Sequence, residues 1–249
     1  MTMLLRLSWL EAKLLLREPV TLVFTLGLPI VMELVMGGVF GNDPNTGYYR
    51  GVGAMNFYMP AYVGLVIGAL GLITLPTHIA TYKERGVLRR FEASSIPRWT
   101  IIGAHAIVMA ILAAIGSVFV VVLGTIVYDT RMPDSWLGVV GAFLLATAAF
   151  AMIGTLLGLA VPTARAAQGI GIMLWFVMLI LGGAGPPPEA LPDSMNTVGS
   201  LTPLKHAIIT LQDPWLSLSD GASHALIVAG FLIGALALTV LAVKRSSAR

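Results

Sequence analysis

Six apolar runs, at about residues 20–40, 58–77, 100–127, 136–160, 169–185 and 224–243, alternate with short polar segments along the chain. A helix needs about 20 mostly apolar residues to cross the hydrocarbon core of a bilayer. Runs of that length, apolar on every side, predict buried or lipid-facing helices, whereas soluble amphipathic helices carry a single apolar stripe. In hydrocarbon every backbone N–H and C=O needs an internal partner. The pattern therefore predicts an all-α integral membrane chain, a single domain over residues 1–249 with six transmembrane helices. The third run would reach roughly 40 Å at 1.5 Å per residue, more than the core is thick, and is expected to tilt or project. Residues 4–17 are leucine-rich but too charged to cross. Arg6, Lys13 and Arg17 gather on one helical face and Trp9 suits the headgroup depth, which predicts an N-terminal interfacial helix ending at Glu18-Pro19.

Polar and small residues inside the runs mark the faces turned toward protein. Thr21, Thr25, Pro29, Glu33 and Gly37 recur every four residues and wind slowly along one side of the first run. A bare carboxylate at the depth of Glu33 would cost several kcal/mol against lipid. Thr25, Glu33 and Gly37 are thus a candidate substrate path, with Glu33 as a substrate or proton site. The competing reading is a carboxyl hydrogen-bonded between helices. Gly64, Gly68 and Gly71, and the pair Gly154-xxx-Gly158, offer smooth faces for close helix contact.

Composition removes other classes. Hydrophobic residues make up 57% of the 249 and charged ones 11%, against about 45–50% and 25% in soluble domains, leaving no room for a soluble catalytic domain. The net charge of +3 is spread over loops without a groove-like cluster, which argues against nucleic acid and for anionic lipid headgroups. There is no cysteine, and so no disulfide or thiolate site. Of the fifteen Lys and Arg residues, all but Arg50, Arg131 and Lys205 fall on one side if both termini lie together. This bias places both termini in the cytoplasm, in a multi-pass protein of the cytoplasmic (cell inner) membrane.

The densest charge lies between the second and third runs, in Tyr82 to Trp99. There Val87, Leu88 and Phe91 fall on one side of a short helix and Arg85, Arg89 and Glu92 on another. Glu84-Arg85-Gly86-Val87-Leu88-Arg89-Arg90-Phe91 resembles the segment that follows the second membrane helix in ABC transporter permeases of the type-two exporter family, which includes daunorubicin-resistance-like drug exporters. The resemblance implies a cytoplasmic coupling helix that docks into a separate ATPase subunit, with Glu84, Arg85, Gly86, Leu88, Arg90 and Phe91 as its coupling residues. Gly183, Pro188, Leu191-Pro192 and Thr202-Pro203-Leu204 are similar to the same family's proline-rich sequence after a short fifth span. They imply an outer re-entrant helical segment between spans five and six. An arginine common near the end of that pattern is absent here, with Gln212 in its vicinity.

The chain has no G-x-x-x-x-G-K-[ST] phosphate loop, so ATP and Mg belong to the partner and no cofactor is expected in this chain. His78, His105, His206 and His224 are dispersed, without metal-site spacing, and no G-x-S-x-G elbow occurs. The resulting expectation is a permease subunit without catalytic residues. It would work with an ABC ATPase and a second permease copy, identical or homologous, and export a hydrophobic or amphipathic small molecule such as a drug, antibiotic or lipid-like compound. The alternatives are a proton-coupled secondary transporter using Glu33 and an intramembrane enzyme. The first has only one embedded carboxylate to work with, and the second lacks convergent catalytic residues.

Overall fold

The computed structural model describes residues 2–16, 19–44, 47–87, 90, 97–217 and 221–247. Among them the chain is helical: α1 (Thr2–Leu16), α2 (Pro19–Phe40), α3 (Ala54–Glu84), α4 (Arg98–Tyr128), α5 (Trp136–Ala160), α6 (Ala164–Leu181), α7 (Asp193–Gly199), α8 (Pro203–Leu216) and α9 (Gly221–Ser247). Five of these, α3, α4, α5, α6 and α9, are long and apolar enough to cross a membrane. Helix α2 runs for 22 residues, of which Leu26–Phe40 form its described apolar part.

Several limits differ from the sequence expectation, most at the second and fifth spans. The second span does not stop near Thr77 but continues as helix to Glu84, through Tyr82 and Lys83. The fifth begins at Ala164, not near Gly169, because Thr163 caps it: its Oγ1 accepts from the Ala166 amide at 3.2 Å. That helix ends at Leu181, before Gly183 turns the chain with φ +86°.

Helix α3 is the centre of the bundle. Its apolar window is 83% buried within the chain, against 22–44% for the other four spans, which therefore present their outer faces to lipid or a partner. The burial follows from glycine. Within α3, residues Leu70–Thr74 form a π-helical turn, a feature that inserts one residue into an α-helix. Gly154 of α5 and Gly171 of α6 lie against this turn from two sides, facing the carbonyl oxygens of Gly71 and Leu72 so closely that neither position has room for a Cβ. Gly158 repeats the contact one turn further along, against Pro76 and Ile79. Residues of α8 cover the first half of α3 in antiparallel register, Ile208 over Gly64 and Leu204 over Gly68. Two side chains fasten this layer. Gln212 donates from Nε2 to the Phe57 carbonyl at 3.1 Å, and Trp175 of α6 donates from Nε1 to the Leu65 carbonyl at 3.1 Å.

The segment between α6 and α8 folds back on itself. Lys205 at the start of α8 donates to the Asn196 carbonyl of α7 at 3.0 Å. The far end of α8 lies beside the α4–α5 turn, where the Ser135 amide donates to the Pro214 carbonyl at 2.9 Å and Trp215 Nε1 to the Arg131 carbonyl at 3.2 Å.

Overpacking a membrane or soluble core by a side chain ordinarily costs about 1–3 kcal/mol, but at Gly154 and Gly171 the obstruction is backbone and cannot rotate away. Gly154→Val and Gly171→Val should each abolish a monodisperse, thermally cooperative protein in detergent. Gly141→Val, on the same helix as Gly154 with nothing within 4 Å, should leave the melting profile unchanged.

Candidate functional site

The end of α3 that carries the Glu84–Phe91 motif is held by its own charges. Lys83 Nζ donates to the carbonyls of Leu159 at 2.6 Å and Val161 at 2.9 Å, where α5 ends. Glu84 Oε2 accepts from the Ala164 amide at 3.0 Å, where α6 begins. A helix ends in unpaired carbonyls and a partial negative charge, and begins with unpaired amides and a partial positive charge. Adjacent residues of opposite sign thus straddle the 160–164 turn, each on the helix end of opposite polarity. Beneath them Ala80, Val161 and Ala167 form a small buried apolar seat. Beside them Thr77, Glu84, Thr163, Ala164, Arg165 and Gln168 line an open cleft of about 490 Å³.

The coupling motif itself is divided differently from the sequence expectation. Glu84 is the last residue of the long helix and Arg85 its cap, and neither lies on a separate docking helix. Gly86 takes φ +68°, the left-handed geometry that glycine adopts without strain. Helical geometry resumes after it, the Arg90 amide donating to the Gly86 carbonyl at 3.3 Å, and Arg85 and Arg90 are exposed. Leu88 and Phe91 lie outside the described residues.

A second polar group ties α1 to the same end. Glu11 is buried; its Oε1 accepts from the Tyr82 hydroxyl at 2.7 Å and its Oε2 lies 3.3 Å from His105 Nε2 on α4. His105 Nδ1 meets the Ile101 carbonyl at 2.9 Å, so Nδ1 carries a proton there. His78 joins them around a cavity of about 20 Å³, roughly the space of one water. The histidines that look dispersed in the sequence are thus paired by the fold, His78 with His105 and His206 with His224, the latter through an Nδ1–Nδ1 contact of 2.7 Å. No spacing in the sequence announces either pair. Among the described residues no cluster suited to a metal forms.

Of the proposed substrate path, Glu33 is fully buried, with neither carboxylate oxygen accepting a hydrogen bond among the described residues. Gly37 is covered by the Tyr128 ring, whose hydroxyl donates to the Leu34 carbonyl at 2.8 Å. The side chain of Thr25 lies outside the described residues.

The result is a buried spanning helix whose charged end is clamped to two neighbouring spans. The chain belongs to the ABC-2 type transporter family, which residues 2–214 match. It is similar to a protein of Bacillus subtilis (strain 168) named "Putative transport permease YvfS", at 24% identity over 208 residues, 83% of this chain and 82% of that one. Permeases of this family work with an ABC ATPase that is a separate subunit.

Exposed charge–dipole contacts are worth about 0.3–1 kcal/mol each, so the clamp sets an angle and contributes little to holding the fold. Lys83→Ala and Glu84→Ala should each lower stability by no more than about 1 kcal/mol. The double exchange Lys83→Glu with Glu84→Lys places like charge on both helix ends and should lower the melting temperature more than the two alanines combined. Faster cleavage after Arg85 by an arginine-specific protease in the exchanged variant would report the freed loop directly.

Proposed function

We propose that this chain is the membrane subunit of an ATP-driven exporter that moves hydrophobic or amphipathic compounds outward across the cytoplasmic membrane. Two permease copies, or one copy and a homologue, would pair with two ATPase subunits, with both termini and the Lys83–Arg90 segment on the cytoplasmic side. The observation that carries this reading is the double clamp. Hydrolysis in a separate subunit reaches the transport path only through a rigid contact, and a push on Gly86 to Arg90 meets α3, α5 and α6 together. The excess of Lys and Arg on the same side supports the orientation. A proton-driven transporter would need a relay leading to Glu33, and the hydrogen bonds that would begin one are absent there among the described residues.

The test is the complex reconstituted with its ATPase in vesicles. Arg85→Glu, and Glu84→Ala with Lys83→Ala, should insert and bind the ATPase while losing most substrate-stimulated hydrolysis and export. Gly86→Pro should be worse, because proline cannot reach φ +68°. Full coupling in all three variants, or transport by the chain alone on a proton gradient, would overturn the reading.

A further inference from the structure

Two glutamates among the described residues are buried in the bundle, and they are housed in opposite ways. Glu11 is met by Tyr82 and His105. Glu33 has no hydrogen-bond partner among the described residues, and it lies on α2 where α3 and α4 come closest to it. Gly124 of α4 leaves the space its carboxylate occupies, the Met59 methyl presses into the same space, and the Thr130 hydroxyl sits at its edge. Tyr62, also fully buried and with an unpartnered hydroxyl, is within electrostatic reach of the carboxylate.

Tyr62 is the inner end of a series of aromatic rings. It stacks on Tyr58 with centroids 5.7 Å apart and planes 18° from parallel. Tyr58 meets Tyr49 edge-on at 5.6 Å, and Tyr49 meets Tyr48 at 6.2 Å and Phe40 at 6.2 Å. Tyr48 and Phe40 are 46% and 47% exposed. Neighbouring rings therefore run from the surface, at the end of the bundle where α2 gives way to α3, to Tyr62, which lies within electrostatic reach of the carboxylate.

We propose that Glu33, with Tyr62 and Tyr58, is the recognition site for a lipophilic organic cation, and that the ring series to Tyr48 is its route. The surroundings decide the chemistry. A small metal ion needs several oxygen ligands, and among the described residues the Thr130 hydroxyl is the oxygen found at the edge of the space the carboxylate occupies. A cation whose charge is spread among apolar groups needs few. It finds a counter-charge in Glu33, π-faces in the tyrosines and a polarizable thioether in Met59. A neutral lipophile gains nothing from a carboxylate and would not account for one kept without a partner. The inference deepens the export reading by naming a substrate class, and rests on that reading for the direction of movement.

Tetraphenylphosphonium, with triphenylphosphine oxide as the neutral control, tests it by equilibrium dialysis on the purified chain in lipid nanodiscs. Wild type should bind the cation saturably, Glu33→Gln should weaken that binding about tenfold or more, the loss expected for a single desolvated charge pair, and the neutral control should not distinguish the two. Tyr62→Phe should stay within about threefold of wild type, because the ring face and not the hydroxyl meets the cation, whereas Tyr62→Ala should fall well below it. An unchanged or raised melting temperature in Glu33→Gln excludes misfolding as the cause. Equal cation binding by wild type and Glu33→Gln, or none by wild type, overturns the site. Because dialysis needs no ATPase, normal coupling with no cation binding removes only the substrate class. Cation binding with no ATPase response leaves the site standing and removes the export reading.

Discussion

Everything in this bundle depends on how closely two helices can approach the backbone of a third. The π turn at Leu70–Thr74 is faced by Gly154 on one side and Gly171 on the other, and in both cases the neighbouring atom is a main-chain carbonyl oxygen. In lipid there is little hydrophobic force between helices, so dispersion contact and short-range polar attraction must hold them, and both fall off steeply with separation. A single methyl group at either glycine would push a helix outward and loosen the whole seam. The burial of α3, the seating of α8 over Gly64 and Gly68, and the position of the α5–α6 turn all follow from that separation.

Because α5 and α6 are pressed onto α3, the turn joining them falls under the end of α3, where Lys83 and Glu84 reach its two helix ends. Neither contact is strong. Their importance lies in direction: an ammonium on carbonyls and a carboxylate on an amide cannot exchange places without each meeting like charge. The pair therefore fixes the rotation of α3 about its own axis at the end from which the coupling segment departs. Gly86 then uncouples the helix direction from the segment that follows, since a left-handed residue turns the chain sharply.

Five of the six expected spans were legible in the sequence because hydrocarbon imposes one backbone solution on a long apolar run, and the glycines singled out there on α3 and α5 mark close contacts in the structure. The start of α6 was not found by hydropathy, because Arg165 and Gln168 read as loop, and the Thr163 cap that begins the helix there is a local hydrogen bond that hydropathy does not register. The partners of Lys83 and Glu84 could not be read at all, because they are main-chain groups that every residue carries. The same holds for the π turn and for the histidine pairs, which exist only once α1, α3 and α4, or α8 and α9, are brought side by side. Glu33 was visible as an anomaly of depth, but its missing hydrogen bonds and the ring series leading toward it are properties of packing alone.

Helix α3 touches both places where charge is handled. Met59 and Tyr62 lie toward Glu33 near one end, and Lys83 and Glu84 form the clamp at the other, about 33 Å along the axis from Tyr62 at 1.5 Å per residue. A rigid helix carries rotation and translation between its ends with little loss, which satisfies the requirement for a continuous physical connection. The π turn lies between them and is the one interruption of regular register on that path. One residue corresponds to about 100° of helical rotation, so the inserted residue sets the angular relation between the Tyr62 face and the Lys83 face. With Gly154 and Gly171 pressed against the carbonyls of the adjacent residues Gly71 and Leu72, the turn is held by the same two helices whose ends the clamp engages, so a movement of the α5–α6 turn bears on the rotation of α3 at both places.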